Sequence, residues 1–86
     1  MNITWRKAIT AAMRLHGETW DDVVAEAPPI GGWDRIFYNG YGGIEGEPFT
    51  LWTHNRVYFP VCYDGAEWAD SVPRNPCAER VAHVGG

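Results

Sequence analysis

At 86 residues with a formal net charge of −4, the chain has the length of one small domain and lacks the cation excess that a general DNA-binding protein needs to neutralise phosphates. Its hydrophobic share of 45% excludes a disordered chain. No apolar run approaches the roughly 18 residues of a membrane span, so a membrane partner is not expected.

A domain of this size buries only about 60–65% of the surface its unfolded chain exposes, and needs efficient packing units. Five tryptophans, four tyrosines and three phenylalanines supply them. The N-terminus shows no charged-then-apolar leader pattern, which points to the cytoplasm. Cys62 and Cys77 are expected to be reduced there. Asn2-Ile3-Thr4 matches a glycan acceptor but has no meaning without secretion.

Trp5, Ala8, Ile9, Ala12, Met13 and His16 fall at helical spacing and predict an N-terminal amphipathic helix. Thr4 suits its N-cap, and Gly17 suits the left-handed residue that ends it. Ala11 and Ala12 would let a sheet come close. Charge is unevenly spread: residues 1–17 carry +3, residues 18–70 carry −8 and the tail carries +1. A basic helix thus adjoins an acidic body.

Residues 18–30 fit two descriptions. Trp20, Val23 and Val24 suit a short helix capped by Thr19, and Asp22-Val23-Val24-Ala25 suits a strand. Pro28-Pro29 ends either one. A strand is predicted from Trp33 to Tyr38, then a glycine-rich loop, NGYGGIEGEP. Gly40, Gly42, Gly43 and Gly46 read as turn residues with positive φ.

The second half predicts an antiparallel meander from FTLWT, VYFPVCY and EWADSV. Asp64-Gly65 signals a two-residue hairpin turn, pairing Tyr63 with Ala66, Val61 with Trp68 and Val57 with Val72. A three-residue loop, His54-Asn55-Arg56, would pair Leu51 with Phe59 and Phe49 with Val61. Together these registers put Phe49, Leu51, Val57, Phe59, Val61, Trp68 and Val72 on one core face. Trp52, Tyr58, Cys62 and Glu67 fall on the other. Pro60 in the central strand calls for a bulge or a break. Asp70 falls on the core face opposite Phe59, an awkward place for a carboxylate. The expected fold class is α+β: the helix packed on a three- to four-stranded antiparallel β-meander.

The residues point away from catalysis. Cys62, Cys77, His54 and His83 match none of the paired-ligand spacings of zinc sites, so no metal or cofactor is expected. Cys62 falls mid-strand rather than at a helix N-terminus, where a thiol is activated. Asp21-Asp22 and Glu45 with Glu47 are carboxylate pairs, but a glycosidase cleft needs more chain than this. The glycine loop has no following lysine, and Glu45 and Glu47 would repel a phosphate. Trp52 and Tyr58 stand out, because the register turns both away from the core. They are either covered by residues 18–40 or the tail, or form a recognition surface with the neighbouring Arg56. Direct nucleic-acid stacking is disfavoured by the acidic surroundings.

Over FTLWTHNRVYFPVCYDGAEWADSVPRNPC, with WDDVV and the closing HVGG, the chain resembles small proteins of unassigned activity encoded by tailed bacteriophages and prophages. Small acidic phage accessory proteins are often inhibitors of host systems, with anti-CRISPR proteins the best-known class. By that analogy of size and context, the resemblance implies a non-enzymatic inhibitor. Its partner would be a host protein or ribonucleoprotein, with a CRISPR-Cas effector as the leading expectation. Asp21, Asp22, Glu45 and Glu47 would fill a cationic channel, or Trp52, Tyr58 and Arg56 would anchor a protein interface. A nucleotide-binding sponge and a virion assembly accessory are the alternatives.

Overall fold

Thr4 opens the helix in an extended conformation, its Oγ1 accepting the Lys7 N–H at 3.2 Å. Helix α1 runs from Trp5 to Arg14 and buries Trp5, Ile9, Ala12 and Met13. Each large side chain among these contributes roughly 1.5–3 kcal/mol by leaving water. Gly17 takes φ +68° and lets the Glu18 N–H reach back to the Met13 carbonyl at 3.0 Å. This is the Schellman closure that the glycine predicts. His16 does not join the apolar stripe, because the helix ends before it and leaves it exposed.

The computed structural model describes residues 1–40 and 42–85; Tyr41 of the glycine-rich stretch and the final Gly86 lie outside them. Two sheets accompany the helix. Strand β1 (Asn2–Ile3) pairs antiparallel with β3 (Phe37–Tyr38) in a small sheet. The main sheet holds β2 (Val23–Ala27), β4 (Thr50–Thr53), β5 (Arg56–Tyr63) and β6 (Ala66–Pro73), antiparallel in the order β2-β4-β5-β6. The fold is α+β, with the N-terminal helix on this four-stranded sheet. Among the described residues, no helix is long and apolar enough to cross a membrane.

Both descriptions of residues 18–30 hold in part. Thr19 caps a 3-10 turn at Trp20–Asp22, and the Thr19 N–H returns to Asp22 Oδ2 at 2.8 Å. The chain then extends into β2. The strand expected over Trp33–Tyr38 shrinks to Phe37–Tyr38. Trp33 instead turns into the core, where its Nε1–H donates to Glu26 at 2.6 Å.

The Asp64-Gly65 turn gives β5–β6 the expected register, pair for pair, with φ +50° and +83° at the two turn residues. The β4–β5 connection differs. Leu51 pairs with Tyr58 and Trp52 with Val57, one residue away from the three-residue-loop register. The loop is His54-Asn55, held by Thr53 Oγ1, which accepts the N–H of Asn55 at 3.3 Å and of Arg56 at 2.9 Å.

A one-residue slip exchanges the two faces of a strand. Tyr58 therefore lies inside, fully buried with Leu51, Ile9 and Met13. Phe59 and Val57 face the other side and are half-buried, and Trp68 is 37% exposed. Asp70 does pair with Phe59, but on this outer face, where Oδ1 accepts the Ser71 N–H at 2.8 Å.

Pro60 needs no bulge, and the expected break falls in one hairpin: the β4–β5 ladder stops at Leu51–Tyr58, short of Pro60, while β5–β6 runs through it. Counting from the turn, Pro60–Ala69 is a non-hydrogen-bonded pair, so β6 asks no N–H of it. On its other side the neighbouring position is Phe49, before β4 begins. Pro73 sits at an equivalent non-hydrogen-bonded position, opposite Arg56.

The core centres on Trp5, whose ring lies 4.9 Å from both Phe37 and Phe49. Trp33 packs edge-on to Phe49 at 5.3 Å and Trp20 to Trp33 at 5.6 Å. Trp5 Nε1–H donates to the Glu47 carbonyl at 3.0 Å and so draws the glycine loop onto the helix. Of the loop glycines expected at positive φ, Gly42 has it, at +111°, whereas Gly40, Gly43 and Gly46 do not. Gly46 is needed for space. A Cβ there would stand 2.5 Å from the Trp5 ring and 2.8 Å from Glu67 Oε1. Gly46→Ala should thus cost about 1–3 kcal/mol of overpacking strain, visible as a lowered urea midpoint with unchanged slope.

Candidate functional site

The slip that buries Tyr58 builds a polar cluster at one end of the core. The Schellman closure delivers Glu18 to the sheet, where Oε1 accepts the Tyr58 hydroxyl at 2.6 Å and the Thr53 hydroxyl at 3.1 Å. Arg56, 8% exposed, donates Nε–H to Ser71 Oγ at 2.6 Å. Its two terminal nitrogens grip both oxygens of Glu79 at 3.0 and 2.9 Å. Arg74 adds a bond to the Thr53 carbonyl at 3.0 Å and Asn75 one to the His54 carbonyl at 3.2 Å. The C-terminal tail is thereby tied over the β4–β5 turn.

The electrostatics follow from these contacts. Burial first, then the bond to Glu18, pushes the Tyr58 hydroxyl well above the ordinary tyrosine range. The Glu79 bond raises the Arg56 guanidinium further, and Arg56 holds the Glu79 carboxyl below the usual carboxylate range. Among the described residues, no fully buried side-chain nitrogen or oxygen lacks a hydrogen-bond partner. Its chemistry is committed to holding the structure.

This corrects the recognition surface expected from the sequence. Tyr58 and Arg56 lie inside, because the two-residue loop turns them toward the helix. Trp52 stays on the outer face, half-buried. The acidic residues do not form one patch. Val23 pairs with Thr53 and Ala27 with Thr50, so Asp21 and Asp22 lie beyond one end of β4 and Glu45 and Glu47 near the other. A four-residue strand separates them by at least about 10 Å. Asp22 is half-buried in its capping box. Backbone atoms anchor the loop acids: Glu67 Oε2 accepts the Glu45 N–H at 2.9 Å, and the Glu47 carbonyl serves Trp5. Among the described residues, no three His, Cys, Asp or Glu side chains gather as a metal site requires, and both cysteines are free thiols.

A different surface stands out. Helix α1 and the edge strand β6 enclose a groove of about 490 Å³, lined by Ile3, Ala8, Ala11, Leu15, Trp68 and Ala69. Leu15 is 82% exposed. Lys7 stands on the helix side, with Asn39 and Glu67 on the strand side. The Glu67 carboxylate is turned to the amides of Glu45 and Gly46, at 2.9 and 3.0 Å. Trp68, expected on the core face, is instead 37% exposed here, and Leu15 lies outside the residues that the sequence pattern singles out. Leu15 did carry a signal: it is a large apolar residue off the Trp5-Ile9-Ala12-Met13 stripe.

No family model matches the chain, and neither curated proteins nor solved structures match it.

Two outcomes test the polar cluster. Tyr58→Phe removes the shorter of two donors to Glu18 and should cost about 1–3 kcal/mol by denaturant titration. Because Tyr58 ionises later folded than unfolded, its contribution is full below about pH 10 and lost as pH rises beyond it. The Phe variant should show a flatter alkaline limb. Glu79 works in the opposite sense: its stabilisation is present above the ordinary glutamate range and lost as pH falls through its depressed folded value. Glu79→Gln should speed amide exchange over residues 77–85 and leave β5–β6 protected.

Proposed function

We propose that this chain is a non-enzymatic binding protein, a phage-type inhibitor acting in the cytoplasm of a bacterial host. It docks on a protein or ribonucleoprotein of host defence, and a CRISPR effector is the target class that the sequence resemblance favours. The observation that carries the binding role is the open apolar groove between α1 and β6, with Leu15 82% exposed at its rim. Exposed apolar side chains occur elsewhere on the chain; what supports an interaction surface here is that Leu15 borders a preformed apolar groove. The division of the acids between two ends of β4 favours such docking over mimicry of a nucleic acid, which needs a continuous run of negative charge.

The groove volume also falls within the range of small-ligand sites, which keeps a sponge for a small molecule as the second reading. A thermal shift with a panel of nucleotides, and none with the effector, would support it.

The direct test is an interference assay in cells carrying an active CRISPR system. Expression of the chain should restore phage plating, and the purified effector should retain it with little dependence on salt. Leu15→Glu should abolish both effects without unfolding the protein, whereas Asp21→Asn with Asp22→Asn should not. Unchanged plating with wild-type protein present would sink the inhibitor reading.

A further inference from the structure

Strand β6 is an edge, and its outward backbone groups alternate with those that bond β5. From the Asp64-Gly65 turn, the outward N–H groups belong to Glu67, Ala69 and Ser71, and Pro73 has none. Asn39 Oδ1 takes the Glu67 N–H at 2.6 Å and Asp70 Oδ1 takes that of Ser71 at 2.8 Å. Among the described residues, no acceptor outside the strand reaches the Ala69 N–H. Of the described outward amides of β6, that of Ala69 is therefore the unpaired one, and this residue, 6% exposed, lines the groove. Closed flanks are how a sheet edge avoids pairing along its length. With the Glu67 and Ser71 amides already taken, they exclude a second copy adding its own β6, which would need these alternate amides free. They leave room for one extended residue to bond at Ala69.

The charge of the groove selects that residue's neighbours. Arg6 is occupied by a bidentate pair with Asp34, at 2.7 and 3.1 Å. Among the described residues, Lys7 and Arg14, two helical turns apart, have no acidic partner within salt-bridge distance. Lys7 lines the groove directly, and the Glu67 carboxylate there already accepts two amides. Apolar walls, one free backbone donor and one free ammonium form a three-part description of a ligand.

We propose that the groove takes a short extended peptide segment of the partner protein, in which an Asp or Glu is flanked by apolar residues. A backbone carbonyl of the segment accepts the Ala69 N–H. Its carboxylate meets Lys7, and its apolar side chains pack on Ala11, Leu15 and Trp68. An amphipathic helix would leave the Ala69 donor unmet, since its own carbonyls are bonded internally. This inference rests on the docking role proposed above and names what is docked.

The probe is the capped peptide acetyl-Val-Leu-Asp-Val-Ile-amide, titrated into the full chain and followed by backbone amide shifts and the Trp68 indole N–H shift. Binding should shift Leu15, Trp68 and Ala69 and slow exchange of the Ala69 amide. Replacing the peptide's Asp by Lys, or using Lys7→Glu protein, should weaken binding about tenfold. Methylation of the peptide nitrogens one at a time should leave the carbonyl contact intact. A depsipeptide with a weakened carbonyl acceptor at the central bond should lose about fivefold. Leu15→Asp, at an exposed position, keeps the fold and should lose binding. The inference is overturned by no shift at millimolar peptide, or by equal binding of the Asp and Lys peptides. It is equally overturned by chain binding to phosphatidylglycerol vesicles but not to the peptide. Retention by an intact effector together with peptide failure would overturn the segment and leave the docking role standing.

Discussion

Thr53 decides which way the sheet faces. Its hydroxyl oxygen accepts the amides of Asn55 and Arg56 and so closes a two-residue connection between β4 and β5. The same hydroxyl donates to Glu18, the residue that follows the helix cap. One side chain thus sets the register and joins the sheet to the end of α1. Had the connection held three residues, every side chain of β4 would meet β5 from the opposite face. Tyr58 would lose its place beside Ile9 and Met13.

The inner face is built for a close helix. Ala69 and Ser71 on β6 are small and buried on the face that meets α1, and Ser71 pairs with Tyr58. Small residues under a helix bring the backbones together, and the large aromatics Trp5, Trp33, Phe37 and Phe49 fill the space at the side. A buried Tyr must satisfy its hydroxyl, and Glu18 does this. Glu18 is in turn fixed by Gly17, whose left-handed turn sends it toward the sheet. The register, the cap and the buried hydroxyl are therefore one arrangement.

Much of this was legible in the chain. Thr4 and Gly17 mark both helix ends, and Asp64-Gly65 sets β5–β6 pair for pair, because each uses a residue whose backbone preference is strong. The β4–β5 connection carried no such mark. His54 and Asn55 keep negative φ, and the turn is held by a side chain instead. Alternation gave no arbitration, since VYFPVC places apolar residues at both parities. Indeed the more apolar set, Val57, Phe59 and Val61, faces away from the helix. The inward choice depends on Glu18, which is remote in sequence. The interaction surface followed the same pattern: Tyr58, expected outside, is structural, Trp52 stays on the outer face, and the exposed groove residues are Leu15 of the helix flank and Trp68 of β6. Leu15 was visible there as an apolar residue off the core stripe.

Because the polar cluster is consumed by the fold, what the chain offers a partner is the α1–β6 groove and the half-buried outer sheet face. Both follow from the β4–β5 register. That register places Trp52 and Val57 in a non-hydrogen-bonded pair, with Cα atoms about 4.5 Å apart. Its most direct measurement is the cross-strand nuclear Overhauser effect between Hα protons in solution. A strong Trp52 Hα–Val57 Hα contact is the result this account predicts. A strong Trp52 Hα–Tyr58 Hα contact in its place would contradict it and return Tyr58 to the surface.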